Sequence, residues 1–428
     1  MTVSTAPAPQ AVSLRAWFVW SITALAFGYA FFHRVAPTVM VQDLMADFAN
    51  NATILGKLSS LYNYPYVMWQ VPLGVLIDRW GARLLLGIAL SVAGLGSALF
   101  AMANTVELAY AGRVLIGIGS AVGFLGSLNI ASSWFPQRYF AMLAGLVMLV
   151  GMMSGVFAQG PLAAIVETYG WRNALWGLGV AGFLIAALIV VFVRNTPGNT
   201  FADTKPKQSW SSMANSLKRA IVDWGVWKVA IVASTMSGPM LALGGLWATP
   251  YMEAAYGLET PTAASLVSVL FFAWALGAPL SGWMSDRIHK RRALLITGSA
   301  ILTIAMGVLV FGPILPISAT VILFAIIGMS GSAMAICFAL VREGSSPEIG
   351  NSVTGIVNSM TVASGAILQP VIGFILDQLW DGKLEGGARI YLATEYQTAF
   401  VAVFVACAVG FAISLTLKET PVWDEKTE

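Results

Sequence analysis

A single guanidinium set in an apolar stretch is the group in this chain best placed to do chemistry. In Phe27-Gly-Tyr-Ala-Phe-Phe-His33-Arg34-Val-Ala-Pro37, Arg34 falls near the middle of a helix if that helix runs on through Leu44. Burying such a charge is costly, which makes it a functional residue by default. Arginine also presents a planar fork of donors that fits carboxylate or phosphate. No Asp or Glu sits deep in the first six apolar segments to neutralise it permanently. Its natural partner is an anion that arrives and leaves. The competing reading is structural, with Arg34 bonded to backbone carbonyls or reaching outward to water.

Other residues could line the same place. His33, one of two histidines, carries an imidazole whose unperturbed pKa of about 6.5 lets it exchange a proton near neutral pH. A satisfied polar residue within a helix is the plainer account of it. Tyr29 lies on a nearby face of the same helix, and Tyr62, Tyr66 and Gln70 recur at i, i+4 and i+8 as a stripe that is polar where lipid would want none. Asn129, Trp247, Trp274, Asn358 and Gln369 complete the candidate lining, with ordinary helix packing as their alternative. Other chemistries lack their residues. The chain has no H-E-x-x-H spacing, no P-loop, no nucleotide domain and too few histidines for a metal cluster, so no cofactor or metal is expected and an enzyme or primary pump is set aside. Cys337 and Cys407 sit inside apolar segments, where packing rather than a disulfide is expected.

These side chains must be positioned by elements surrounded by lipid. With 58% hydrophobic and 10% charged residues and a mean hydropathy of +0.78, the chain has too few charges to cover a water-facing globule, where about a quarter is usual. A net charge of +3 without a basic cluster interleaved with aromatics excludes a nucleic-acid partner. Apolar runs of about 20 residues, the length that crosses a hydrocarbon core as a helix, recur twelve times. They are Trp17–Met40, Ile54–Ile77, Leu84–Met102, Leu108–Ile130, Ala141–Val166, Ala174–Val193, Val226–Ala248, Thr262–Met284, Ala293–Phe311, Ser318–Val341, Val353–Leu376 and Thr398–Leu417. The Ala/Pro/Ser-rich start reads as a short tail before an uncleaved first helix. Between spans 6 and 7 the chain turns polar, with Pro197, Gly198, Pro206 and the cations Lys205, Lys207, Lys218 and Arg219; Trp210 to Ala220 is amphipathic and suits a helix on an anionic membrane surface, or else a plain flexible tether.

A hinge repeats at half-chain spacing. Gly74-Val-Leu-Ile-Asp78-Arg79-Trp-Gly81-Ala-Arg83 follows span 2, and Gly282-Trp-Met-Ser-Asp286-Arg287-Ile-His-Lys290-Arg291-Arg292 follows span 8, with 208 positions between the two aspartates in a chain of 428. The chain therefore consists of two similar halves. Asp78 can accept from backbone N–H groups at a neighbouring helix start and pair with Arg83 or Arg138, which would lock the halves together on that side.

The hinge resembles the loop motif of the major facilitator superfamily, G-x-x-x-D-R-x-G-x-[KR]; the first copy matches fully and the second lacks the glycine after Asp-Arg. Arg113-x-x-x-Gly117-x-Gly119-x-x-x-Gly123 is similar to a second motif of that family, and glycines at this spacing let helices approach closely. Gly151, Gly155, Gly160 and Pro161, followed by Gly170-Trp171-Arg172, resemble a third and fourth. The resemblance covers nearly the whole chain. It implies an all-α integral membrane fold of twelve transmembrane helices in two six-helix bundles: tail 1–15, bundle 16–194, linker 195–223, bundle 224–418 and tail 419–428. It implies a gating role for Asp78, Arg79, Arg83, Arg113, Arg138, Asp286 and Arg287. Arg34 is placed like the substrate-gripping arginine of the organic-anion branches, the organophosphate:phosphate antiporters and anion:cation symporters. In the symporters an aspartate commonly precedes it, and here His33 does.

The function expected is secondary active transport of a small organic anion, a carboxylate or phosphorylated metabolite, by alternating access with proton coupling through His33. A carrier of a neutral or zwitterionic metabolite such as a vitamin, nucleoside or peptide is the alternative, and a transporter-like sensor is a third reading. A monomer in a bacterial inner membrane is expected. Seventeen of the 23 Lys and Arg fall on the side of the N-terminus, against Lys57, Arg172, Lys383 and Arg389 opposite, which sets both termini in the cytoplasm. Cysteines introduced at Asn51 and Gly382 should accordingly react with a membrane-impermeant maleimide on intact cells, and one at Lys207 only after lysis. Labelling of Lys207→Cys in intact cells would overturn this topology.

Overall fold

A hydrocarbon core offers backbone groups no water, so a chain crossing it must satisfy them within each segment, and helices do so. The computed structural model describes residues 13–48, 51–136, 139–197, 210–288, 290–346 and 349–419. The first half contains α1 (Leu14–Val35), α2 (Val41–Phe48), α3 (Ala52–Trp80), α4 (Ala82–Ala101), α5 (Val106–Ser120), α6 (Val122–Trp134), α7 (Phe140–Phe157), α8 (Gly160–Tyr169) and α9 (Trp171–Phe192). After α10 (Trp210–Val222), the second half contains α11 (Trp224–Pro239), α12 (Ala248–Tyr256), α13 (Thr260–Ile288), α14 (Arg291–Phe311), α15 (Ile317–Gly331), α16 (Ala335–Glu343), α17 (Gly350–Leu379) and α18 (Ala393–Ser414). The strands β1 (Leu384–Glu385) and β2 (Ala388–Arg389) pair antiparallel between α17 and α18, with Leu384 opposite Arg389.

Among the described residues, ten helical stretches are long and apolar enough to cross a membrane, and the pair α7 and α8, bent by 41°, makes an eleventh. The span expected over Ile54–Ile77 falls on α3, 29 residues long and diluted in apolarity by Tyr62, Asn63, Tyr64, Tyr66 and Gln70. Several spans that hydropathy reads as continuous are built from joined pieces. A 3₁₀ turn (Ala36–Val39, opened by Pro37) continues α1, a π-helical segment (Met240–Trp247) joins α11 to α12, and a 3₁₀ turn (Ser332–Met334) joins α15 to α16. The outward surface is apolar, with Leu184, Val191, Ile304 and Phe311 each more than half exposed, as contact with lipid requires. The amphipathic linker stretch is helical as α10, which packs on α17 and α11.

Within the first half, the glycines of α5 and α6 serve close approach. A Cβ at Gly117 would lie 2.3 Å from Tyr62 O on α3, and one at Gly119 2.2 Å from Ala89 O on α4. Arg113 fixes the same junction. Fully buried, it donates from Nη1 to His33 O (2.9 Å), from Nε to Leu58 O (3.2 Å) and from Nη2 to Ser59 O (3.2 Å). It therefore ties α1, α3 and α5 together as a staple.

The halves meet most extensively along α3 and α17. They also join near the distal end, the end opposite the termini. There Gln159 Nε2, at the break between α7 and α8, donates to Gly244 O (2.8 Å), and Thr38 Oγ1 donates to Leu246 O (3.2 Å). Both acceptors lie in the π-helical segment, whose wider winding alters the backbone pairing. Thr249 Oγ1 donates to Gln159 Oε1 (3.2 Å) and closes the cluster.

Removal of Arg113 leaves His33 O without a donor, since Pro37 four residues on has no N–H, and takes a second bond from Leu58 O and Ser59 O, which keep their donors within α3. The unpaired buried carbonyl alone costs roughly 1–3 kcal/mol. Arg113→Met should therefore lower the thermal unfolding midpoint in detergent by several degrees, and Arg113→Lys should restore only part of it. An unchanged midpoint in Arg113→Met would refute the staple.

Candidate functional site

Arg34 occupies the last turn of α1, where the chain tightens into the 3₁₀ turn set by Pro37. Its guanidinium carbon lies 4.6 Å from the Tyr66 ring centroid, 5.3 Å from Phe31 and 5.4 Å from Tyr62. The spacing of Tyr62 and Tyr66 on α3 stacks their rings, with centroids 6.2 Å apart and planes inclined by 23°, and Tyr62 OH donates to Ala30 O (2.7 Å) so that the ring is held against α1. A cation within about 6 Å of a ring is attracted by the ring quadrupole, by roughly 2 kcal/mol when desolvated. Arg34 is 7% exposed, its Nε has no hydrogen-bond partner, and among the described residues no carboxylate forms an ion pair with it. The arrangement is a cation in an aromatic box with its Nε donor left over.

His33, the next residue in the chain, points elsewhere. Its ring stands edge-on to Tyr29, with centroids 4.6 Å apart, and Tyr29 OH donates to Leu178 O on α9 (3.0 Å). Tyr29 thus belongs to packing within the first half rather than to the box. Both ring nitrogens of His33 are buried without a partner.

A second polar set lies where α3 meets α17. Asn358 Nδ2 donates to Gln70 Oε1 (3.2 Å) across the halves, and Gln70 Nε2 donates to Ala121 O (3.4 Å). Gln369 Nε2 donates to Leu241 O (2.9 Å), while its Oε1 and the Oδ1 of Asn63 are buried without partners. Asn63 was absent from the sequence expectation, although an amide inside the tyrosine stripe was a visible signal. The structure therefore brings together Arg34, Tyr62 and Tyr66 as one group, and Gln70 and Asn358 as another.

Other expected lining residues are engaged in packing. Trp247 is fully buried, donates from Nε1 to Gln369 O (3.0 Å) and lies against Tyr396. Trp274 is buried where Gly331 leaves room for its ring. Asn129 is half-buried, and its carbonyl accepts from Ser132 and Ser133.

In the first hinge, Arg83 donates from Nε (3.1 Å) and from Nη2 to Val190 O, and its N–H donates to Asn195 Oδ1 (2.9 Å). These contacts are to the end of α9 and the first residue of the linker. Arg79 is exposed. The side chain of Asp78 and all of Arg138 lie outside the described residues. In the second hinge, Asp286 lies 3.3 Å from Arg291, which also holds Glu343 through Nε (2.7 Å) and Nη2 (2.6 Å); Arg287 sits over Trp283. Sequence reasoning missed Glu343, which stands at the end of α16 far from the motif in sequence.

Helices long and apolar enough to cross a membrane, packed around a buried cation that pairs with no carboxylate among the described residues, make a polytopic membrane protein. The sequence pattern of the Major Facilitator Superfamily matches residues 22–370, and the chain belongs to that family. It is a multi-pass membrane protein and a secondary transporter, not an enzyme. It is 24% identical over 364 residues to a probable L-galactonate transporter of Escherichia coli (strain K12), covering 80% of this chain and 79% of that one. It is 21% identical over 411 residues to the probable galactarate/D-glucarate transporter GudP of Bacillus subtilis (strain 168), covering 87% and 88%. Its fold is shared with the crystal structure of a bacterial homologue of the human lysosomal transporter Spinster, inward-facing and occupied, at a TM-score of 0.78 and 16% identity over 97% of this chain and 100% of that one.

Proposed function

We propose that this protein carries a small organic anion, a hydroxylated carboxylate first of all, across a bacterial inner membrane with both termini in the cytoplasm. The observation that carries the reading is Arg34, buried in its aromatic box with no ion-pair partner among the described residues. A charge left open in this way favours a ligand that brings the opposite charge. The unpartnered amide oxygens of Asn63 and Gln369 would accept hydroxyl donors from the cargo, and the galactonate and galactarate/glucarate named for the relatives carry such hydroxyls beside carboxylates.

Transport then proceeds by alternating access. The halves, residues 16–194 and 224–418, move about the central site while the linker 195–223 tethers them. Asp78, Arg79, Arg83 and Arg138, with Asp286 and Arg287, form the hinges on the cytoplasmic side. His33 is the group we assign to proton coupling, because a buried imidazole with two free nitrogens can take up a proton once water or cargo reaches it. One chain contains the whole site, so a monomer suffices.

A charge-assisted contact to a buried guanidinium contributes about 1.5–3 kcal/mol, and lysine cannot reproduce its fork. In proteoliposomes, Arg34→Lys should weaken cargo affinity by ~10-fold or more, and Arg34→Gln should weaken it further, so that uptake no longer saturates over the range in which wild type does. A response to an imposed proton gradient should be lost in His33→Gln. Uncharged metabolites that stabilise wild type and Arg34→Gln equally in a thermal-shift screen would overturn the anion reading, and a gradient response intact in His33→Gln would remove the histidine from the coupling.

A further inference from the structure

One carboxylate at the distal end joins the halves through the backbone of a helix start. Asp377, near the end of α17, accepts from the backbone N–H of Ala52 (3.0 Å) and of Thr53 (2.8 Å), and from Thr53 Oγ1 (2.5 Å). These groups belong to the first turn of α3, in the opposite half. The carboxylate is held from behind by its own half, by Arg389 Nη1 (3.1 Å) and Tyr391 OH (2.6 Å), and its side chain is 10% exposed. The Tyr391 hydroxyl also accepts from the Ala52 N–H (3.2 Å), so it crosses to the other half beside the carboxylate it supports. A negative group at a helix start meets unsatisfied donors and the positive end of the helix dipole. Asp377 completes the cap of α3, since Asn51 Oδ1 accepts from Ile54 N (2.8 Å) while the N–H groups of Ala52 and Thr53 turn to the other half.

The helices beneath this cap touch backbone to backbone. A Cβ at Gly373, one turn before Asp377, would lie 2.3 Å from Ala52 O, and a Cβ at Gly56 would lie 2.7 Å from Gln369 O and from Pro370 Cα. Two glycines, one on each helix, thus allow the close crossing that brings Asp377 onto the α3 start.

We propose that Asp377 is the distal lock of the transport cycle, a positioning residue that holds the distal entrance shut by capping α3 from the other half. The arrangement suits a latch better than permanent glue. When the halves part, Asp377 keeps Arg389 and Tyr391, and α3 keeps the Asn51 cap. Only the Ala52 and Thr53 donors pass to water at the mouth of the entrance. The lock therefore opens without stranding a buried charge, in contrast to a cross-half salt bridge in a dry interior. Beyond the site at Arg34, this assigns to the opposite end of α3 control over which side of the membrane that site faces.

The test reads distances and uses no cargo, so it stands or fails independently of the anion reading. In a background with Cys337 and Cys407 replaced by serine, spin labels at Asn104→Cys and Ile314→Cys report the distal end, one in each half. Labels at Trp80→Cys and Ile288→Cys report the end near the termini. Asp377→Asn keeps the shape and removes the charge. It should raise the ratio of long to short distances at the distal pair on the order of 10-fold, with shortening of the other pair, while Asp377→Glu should return both toward wild type. Distal distances unchanged in Asp377→Asn would overturn the lock. Broadening of both pairs without opposite shifts, together with a lowered unfolding midpoint, would also overturn it and leave Asp377 a structural cap.

Discussion

A positive charge inside a membrane protein must be answered by something, and the two buried arginines of the first half are answered in different ways. Arg113 is satisfied by three backbone carbonyls from two other helices. Arg34 receives aromatic faces and no carboxylate among the described residues. Tyr62 stands between them, its ring 5.4 Å from one guanidinium carbon and 5.2 Å from the other. The permanent solution builds the helix junction that the open one needs. Arg113, holding His33, Leu58 and Ser59 in register, works beside the Tyr62–Ala30 hydrogen bond to set the Tyr62 and Tyr66 rings on α3 against Arg34 on α1.

The same helix links the site to the movement of the halves. α3 carries the tyrosines of the box at its centre, meets Asn358 through Gln70 toward one end, and is capped by Asp377 at the other. A tilt of α3 relative to α17 therefore moves the walls of the site and the distal closure together. The π-helical segment between α11 and α12 contributes a second seam, because its carbonyls at Gly244 and Leu246 receive Gln159 and Thr38 from the first half.

Much of this was legible before any coordinates, and the limits are physical. The all-helical membrane fold and the burial of Arg34 followed from costs that sequence displays directly: length against bilayer thickness, and charge against lipid. The α5 glycines also met the close approaches expected of them. Which way a helical side chain faces was less legible. Tyr29 and Trp247 look like lining residues by type, yet their donors go to Leu178 O and Gln369 O in their own halves. Arg83 shows the same limit, since its partner is the carbonyl of Val190, and a backbone acceptor leaves no mark in the sequence. Asp377 and Glu343 escaped notice for a related reason: each meets partners from a distant segment, and single charges at span ends are common.

The central claim is that the charge of Arg34 recognises a charge on the cargo. The most direct measurement is a calorimetric double-mutant cycle that pairs a bound carboxylate and its primary amide with wild type and Arg34→Gln. The account predicts that wild type prefers the carboxylate by ~10-fold or more, that the preference vanishes in Arg34→Gln, and that the coupling between the two changes is about 1.5–3 kcal/mol. Equal preference for carboxylate over amide in both proteins, with no coupling, would contradict it.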